Sequence, residues 1–344
     1  MAKGLATAWD VPLLAVNHMQ AHALTPQLVG ALRDKTVDKT GNSASEETGI
    51  GGLQGPQFPF LSLLVSGGHT MLVRSNSLSN HSILANSGNI AVGDMLDKCA
   101  RSILPQEILS AQGSDSSMYG PIFEEFAFPG SKDSAGYYYK YTPPASRSDE
   151  IKPFDPGHGW TLTPPLALMG KGEVARATYE FAGLNGQIQR LIQDQPDMHV
   201  DMRRILARAT MTLVFEHLTS RLLFALGSNG KATNNQHRTE VEGQSKLKTV
   251  VLSGGVASNM FLRHVVRKML DARGYTDVEV VAPPVSLCTD NAAMIAWTGM
   301  EMYENGWRSD FNVLPLRKWP IDPNADGGGI LDAPGWYKAP ATKL

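Results

Sequence analysis

Phe58-Pro59-Phe60-Leu61-Ser62-Leu63-Leu64-Val65 is an almost unbroken apolar run that stops at Ser66-Gly67-Gly68-His69-Thr70. Such a run, without polar alternation, suits a strand buried on both faces of an α/β sheet. The glycines permit a tight turn, and residues 71–74 are expected to return as the hairpin partner. Glycines also leave backbone N–H groups unshielded, so a phosphate could approach the main chain there. For one isolated Gly-Gly an ordinary tight turn is the better account.

The same arrangement comes a second time. Residues 248–252 read as another buried strand, followed by Ser253-Gly254-Gly255 and a helix over residues 259–272. A helix N-terminus near Asn259 would add a dipole favourable to an anion. Two strand-ended glycine turns in the two halves of a chain suggest a duplicated α/β unit with a ligand between the copies. The actin-like and sugar-kinase ATPases are built on that plan.

Outward from these motifs, residues 2–9 read as the tail of a helix and residues 11–16 as a short strand. A helical segment is expected from His18. Helices are also expected over 94–103, closed by Pro105, and over 122–127, opened by Tyr119-Gly120-Pro121. Residues 201–224 form the longest helical pattern, 278–281 a strand, and 290–303 a helix rich in Ala and Met. Residues 35–57 and 228–245 are polar and Gly/Ser-rich, which suits flexible insertions; 128–165 reads as loop. The chain has 344 residues, 42% of them hydrophobic, enough for a substantial core. Its net charge of -2 advertises no global basic field, although a local patch could still serve RNA. The two cysteines, Cys99 and Cys288, are too far apart for a Cys-x-x-Cys site and fit a reducing compartment. No apolar run is long enough to cross a bilayer, and residues 1–10 carry no targeting pattern.

His18 and His22 stand four residues apart, so on a helix both imidazoles leave one face, the spacing that lets two histidines share a metal ion. The intervening Met19-Gln20-Ala21 lacks the glutamate of a zinc protease. Two histidines satisfied at a helix start are the plainer alternative. Asp290, within Cys288-Thr289-Asp290-Asn291, is a candidate third ligand or simply a helix cap; both roles stay open. Asp97 stands beside Lys98 and Arg101. Spacing favours a surface ion pair with Arg101 over a carboxylate that accepts from ribose hydroxyls. Glu124 and Glu125 read as a solvated helix face.

Taken together, these stretches resemble one family, TsaD, in its bacterial and mitochondrial branch. His18-Met19-Gln20-Ala21-His22-Ala23-Leu24-Thr25-Pro26 is similar to the family's metal-binding signature. Leu64-Val65-Ser66-Gly67-Gly68-His69-Thr70 is similar to its first phosphate loop. Gly93, Leu96-Asp97-Lys98, Tyr119-Gly120-Pro121 and Glu124 resemble its nucleoside-holding helices. Ser253-Gly254-Gly255-Val256-Ala257-Ser258-Asn259 and Cys288-Thr289-Asp290-Asn291-Ala292-Ala293-Met294 resemble its two later motifs. The matches run in family order from His18 to about Ala296.

The resemblance implies an α/β, actin-like ATPase (ASKHA) fold with duplicated lobes. Lobes are expected at residues 1–127 and 201–312, with a loop-rich connection over 128–200 and a tail over 313–344. It implies that His18, His22 and Asp290 hold one divalent metal ion, iron or zinc. Leu64, Val65, Ser66, Gly67, Gly68 and Asn259 would line the phosphate region, and Asp97, Gly120 and Glu124 would meet ribose and adenine. The implied reaction transfers threonylcarbamoyl from threonylcarbamoyl-AMP, supplied by a separate synthase, to the exocyclic amine of the tRNA adenosine beside the anticodon. AMP is released. The implied partners are tRNA and a second copy of the chain, with no membrane; the implied compartment is the mitochondrion, with cytoplasm second.

The sequence also departs from the family. Members begin with a strand and loop reading roughly Gly-Ile-Glu-Thr-Ser-Cys-Asp-Asp, and this chain is expected to start after it, without the first strands of the N-terminal lobe. Phe181-Ala182-Gly183-Leu184-Asn185 stands where members have Phe-Ser-Gly-Leu-Lys. Residues 35–57, 102–118 and 228–245 are expected insertions. Two alternatives accompany this reading: a metal-dependent hydrolase of the glycoprotease type, and a non-catalytic nucleotide-binding homologue.

Overall fold

The computed structural model describes residues 1–40, 55–111, 118–133, 136–167, 173–227 and 247–339. Its central sheet contains β1 (Phe60–Val65), β2 (Thr70–Ser75), β3 (His81–Ser87), β4 (Thr178–Tyr179), β5 (Thr249–Ser253) and β6 (Glu279–Val281), in the order β4-β3-β2-β1-β5-β6. β1 and β2 form the expected antiparallel hairpin across the glycine turn. On its other side β1 pairs in parallel with β5, Leu61 opposite Val250 and Leu64 opposite Ser253.

Every residue of β1 is buried, because both faces of the strand are covered. The longer helices are α1 (Ala2–Trp9), α2 (His18–Thr40), α3 (Val92–Ile103), α4 (Gly120–Ala127), α5 (Ala182–Asp194), α6 (Val200–Gly227), α7 (Met260–Ala272) and α8 (Ala292–Glu304), of which α2, α3, α6 and α7 pack side chains against β1. Side chains alternate along the strand. Leu61, Leu63 and Val65 enter the main core with Met95 of α3, Phe215 and Leu218 of α6, and Phe261 of α7. Leu64 faces the opposite way, toward Met71, Met302 and Ile321. Phe60 on that same face meets Leu24 of α2. Truncating a fully buried leucine such as Leu63 to alanine would cost about 2–5 kcal/mol.

α6 runs through the interior and carries Arg221, which is 1% exposed. Its guanidinium donates to the carbonyls of Thr178 (3.0 Å), Ala175 (3.1 Å) and His217 (3.4 Å). Burial of that charge is tolerable because its donors have acceptors.

Several expectations are redrawn by the tertiary structure. β1–β3 fall in the stretch 1–127 and β5–β6 in the stretch 201–312, and these strands share one sheet. The two glycine turns therefore end neighbouring parallel strands, β1 and β5, and lie at the same carboxyl end of the sheet. Residues 11–16 make only an isolated bridge, Leu13 to Ser309, instead of a strand ladder. α2 continues to Thr40, into the polar stretch expected as an insertion. Helix α5 and strand β3 went unassigned in the sequence, whose apolar signal there is short. The insertion over 228–245 and the middle of those over 35–57 and 102–118 lie outside the described residues.

The segment expected as a tail is packed. Within 313–339, β8 (Trp336–Lys338) pairs antiparallel with β7 (Trp307–Ser309) of the preceding stretch, and Ile321 (2% exposed) and Ile330 (0%) are buried against the Leu64 face of the sheet. Asp322 accepts from the Ile83 N–H at 2.7 Å, tying the segment to β3. Among the described residues no helix is long and apolar enough to cross a membrane.

Candidate metal and nucleotide site

After β1 the chain turns toward β2, β3 and β4; after β5 it turns the other way, toward β6. The carboxyl ends of these two parallel strands thus mark the point where the winding reverses, the usual place for a ligand in an open α/β sheet. α2 starts at that point. The Ser253 hydroxyl at the end of β5 donates to the His22 carbonyl at 2.8 Å, fixing the first turns of α2 against the strand end.

His18 and His22 project from one face of α2 with ring centroids 4.7 Å apart, edge to face. Asp290 lies in the loop before α8, which packs on α2. Its Oδ1 is 3.0 Å from His22 Nε2 and 3.4 Å from His18 Nε2. Residues 268 and 272 positions apart in sequence thus meet at one oxygen, with candidate ligand atoms all within 4.8 Å of one another. His22 is 4% exposed, while the Asp290 side chain is 74% exposed. The trio is therefore anchored on the protein side and open on the other.

Burial pushes the His22 pKa down, with further lowering from His18, against the opposing pull of Asp290. A neutral imidazole keeps a lone pair for a metal. Two imidazole nitrogens and a carboxylate oxygen suit a borderline divalent ion such as zinc or iron, with positions left for other ligands. The His22 Nδ1 is buried without a hydrogen-bond partner among the described residues. As for the cap role open to Asp290, the helix cap of α8 is its neighbour: Asn291 Oδ1 accepts from Met294 N–H at 2.9 Å.

The remaining candidates form a ring of contacts around the strand ends. Gly93, in the first turn of α3, donates from its N–H to the Ser66 carbonyl at 3.1 Å. A Cβ at Gly93 would stand 2.8 Å from both the Gly67 nitrogen and the Ser66 oxygen, so only glycine lets α3 dock there. Asp97, one turn on, accepts from the Tyr119 N–H at 2.9 Å and so holds the start of α4, where Gly120 stands with open space about its Cα. The expected Asp97–Arg101 ion pair is not formed among the described residues. Lys98 pairs with Asp94 at 2.7 Å, and the Arg101 guanidinium lies over the Tyr119 ring, 5.7 Å from its centroid. Burial raises the Asp97 pKa.

Glu124 is not a solvated helix residue. Its carboxylate accepts from the Phe261 N–H at 2.8 Å, from Met260 N–H at 3.4 Å, and from the Tyr139 hydroxyl. It therefore sits on the N-terminus of α7, and burial raises its pKa. Glu125 beside it is exposed, as expected. Asn259 is the N-cap of α7, accepting from Leu262 N–H at 2.9 Å. The ring closes where Gly254, at φ +94°, presses against the Val65 backbone.

The first glycine turn is less open than its composition suggests. Ser66 Oγ accepts from His69 N–H at 3.0 Å and Gly68 N–H at 3.3 Å, so two of the amides that could cradle a phosphate are engaged within the turn. Two supporting residues escaped the sequence reading. Asn17, directly before His18, caps α2, and an Asn preceding an apolar-periodic run is a signal that could have revealed it. Arg263 donates to the Ala257 carbonyl at 2.8 Å and the Pro283 carbonyl at 3.1 Å, joining the loop after β5 to the segment leading to Asp290. Nothing local in the sequence marks it.

A sequence profile described as "TsaD: tRNA N6-adenosine threonylcarbamoyltransferase" matches residues 1–35 and 46–297. The chain is 35% identical over 340 residues to the mitochondrial tRNA N6-adenosine threonylcarbamoyltransferase of Schizosaccharomyces pombe, covering 97% of this chain and 64% of that protein. It is 29% identical to the enzyme of that name from Rhizobium leguminosarum, covering 94% of this chain and 68% of the relative. Against the one from Rickettsia bellii it is 27% identical, covering 93% and 72%. The chain thus spans about two thirds of the length of these relatives. With matching motifs in order and the strand ends that carry them drawn together, the chain belongs to the TsaD family, whose fold is the actin-like α/β one.

Proposed function

We propose that this chain supplies the metal and phosphate side of a tRNA threonylcarbamoyltransferase site. The observation that supports this most is the meeting of His18 and His22 Nε2 at one oxygen of Asp290, beside the ends of β1 and β5. In this reading His18, His22 and Asp290 hold one divalent ion, iron or zinc. When bound, it would act as a Lewis acid that steadies charge on the phosphate. The segment from Leu64 to Gly68 and Asn259 line the phosphate region. Asp97 accepts from ribose hydroxyls, with Gly120 leaving room for the nucleoside. Glu124 acts mainly by holding the N-terminus of α7, since Phe261, Met260 and Tyr139 already donate to it.

The substrate is threonylcarbamoyl-AMP delivered by a separate synthase, and the acceptor is the exocyclic amine of the adenosine adjacent to the anticodon in tRNAs reading codons that begin with adenine. The amine nitrogen bonds to the carbamoyl carbon and gives up one proton to water, the bond from that carbon to the AMP phosphate oxygen breaks, and AMP leaves. The partners are tRNA, the synthase and a second copy of the chain. The mitochondrion is the proposed compartment, on the name of the fission-yeast relative, with cytoplasm second.

The test is to incubate the purified chain with tRNA, threonine, bicarbonate, ATP and a threonylcarbamoyl-AMP synthase, then to measure threonylcarbamoyl-adenosine in digested tRNA by mass spectrometry. Product that vanishes in His22→Ala supports the reading. A folded chain that yields none rejects the activity.

A further inference from the structure

The histidine pair is held from behind by residues remote in sequence. Asn17 is 1% exposed and precedes α2. Its Oδ1 accepts from the N–H groups of Met19 (3.0 Å) and Gln20 (3.1 Å), capping the helix that begins at His18. Its Nδ2 donates to the Trp319 carbonyl at 2.9 Å. That carbonyl belongs to the segment following α8, beyond the residues that the family profile matches. One side-chain amide thus joins the cap of the histidine helix to that segment.

Trp319 is itself fixed. Its indole N–H donates to the Ile330 carbonyl at 3.2 Å, and its side chain packs in the cluster of Leu64, Met71, Ile321 and Ile330. Further contacts keep the same end of α2 in place. Ser309 Oγ accepts from Ala15 N–H at 2.9 Å, and Gln20 Nε2 donates to the Leu78 carbonyl at 2.7 Å. The segment that holds Asn17 follows α8, and the loop before α8 carries Asp290. Both sides of the trio are therefore referred to one stretch of chain.

We propose that Asn17 is a positioning residue for His18 and His22: its bond to the Trp319 carbonyl lets the segment after α8 set the placement of the histidine helix against Asp290. A rotation or shift of the first turn of α2 would move both Nε2 atoms together, because they leave the same face. Groups that orient metal ligands from behind affect affinity strongly even though they touch no metal. The inference rests on reading His18, His22 and Asp290 as a metal site.

The experiment measures Co2+ binding to the whole chain by competition with a chelating dye and by visible absorption of the bound ion, alongside thermal unfolding without metal. Asn17→Ala removes both the cap and the donor. Asn17→Ser keeps a capping oxygen and removes only the donor to Trp319, so it remains readable where Asn17→Ala fails to fold. Thr25→Val is the control: Thr25 is buried on the same helix and, among the described residues, its hydroxyl bonds only its own helix, donating to the Ala21 carbonyl at 2.9 Å. Expected are an affinity loss of about 10–100-fold and an altered Co2+ spectrum in both Asn17 variants, with Thr25→Val binding as wild type. Asn17→Ser binding Co2+ with wild-type affinity and spectrum overturns the inference, as does an equal loss in Thr25→Val. Wild type that binds no Co2+ removes the metal reading and this inference together. Binding that His22→Ala abolishes but Asn17→Ser leaves intact removes only this inference.

Discussion

Glu124 on α4 receives the backbone N–H of Phe261 at 2.8 Å, placing a half-buried carboxylate on the first turn of α7. The contact spans 137 residues and links the helix start beside Gly120 to the loop that follows β5. Charge at a helix N-terminus is favourable, and here it also satisfies amides that the helix leaves without intrahelical partners. Glu124→Gln is expected to keep one acceptor and lose the charge, destabilising the fold by about 1–3 kcal/mol. Chemical denaturation of the variant checks this; unchanged stability would remove the capping role.

Glu216 on α6 provides a pH test away from the site. Burial pushes its pKa up to about 7, from an ordinary value of 4.5, even though Tyr141 donates to it at 3.0 Å. The folded chain therefore holds a proton that the unfolded chain has released between these values. Stability should fall as pH rises from about 4.5 to about 7, by on the order of 3 kcal/mol from this group. Glu216→Gln, which mimics the protonated form, should flatten that slope and stabilise the protein at pH 8. Melting curves across pH 5–8.5 compare the two; parallel profiles would refute the assignment.

Gly93 and Gly254 should tolerate no side chain. Alanine at 93 would place Cβ 2.8 Å from backbone atoms of the β1–β2 turn. The cost is about 1–3 kcal/mol from overpacking. Alanine at 254 combines such a clash, against Val65, with φ +94° and should cost more. Gly67→Ala, where nothing lies within 4 Å of the added Cβ, is the mild control. Equal stabilities for the three would show that the turns are not close-packed.

Asn can separate the observed bond of Asp97 to Tyr119 from its proposed contact with ribose. Asp97→Asn retains an oxygen for Tyr119 N–H, so melting should barely change, while AMP affinity should drop about tenfold through loss of a charge-assisted bond. Asp97→Ala should lose both. Calorimetry with AMP, beside the melting temperatures, decides the matter. AMP binding untouched in Asp97→Asn would leave this carboxylate with only its link to α4.

Zn2+ should raise the melting temperature of wild type, and excess chelator should reverse the rise, since a ligand bound only by the folded state stabilises it. Neither His22→Ala nor Asp290→Ala should respond. A full response in either variant places the ion elsewhere.

How far the sequence carries differs from element to element. Phe60 to Val65 could be recognised as a doubly buried strand because hydrophobicity is a property of the residues themselves, and six consecutive buried positions admit few other states. The histidine pair was legible for the same reason: helical periodicity puts positions 18 and 22 on one face wherever the helix packs. The family motifs came with their order along the chain. Other assignments depended on partners far away. Asp97 fits an ion pair with Arg101 by spacing, yet it bonds to Tyr119 because α4 arrives within reach. Glu124 looks solvated until α7 is brought to it.

Sequence alone thus determined which segments are apolar, where the turns fall and which side chains can ligate a metal, since these follow from local chemistry and short-range periodicity. The tertiary structure decided that the two glycine turns are neighbours at one end of the sheet, that residues 313–339 pack against its Leu64 face, and that Asp290 meets both imidazoles. Contacts across some 270 positions are selected by the packing of whole faces, and no local pattern encodes which faces will meet.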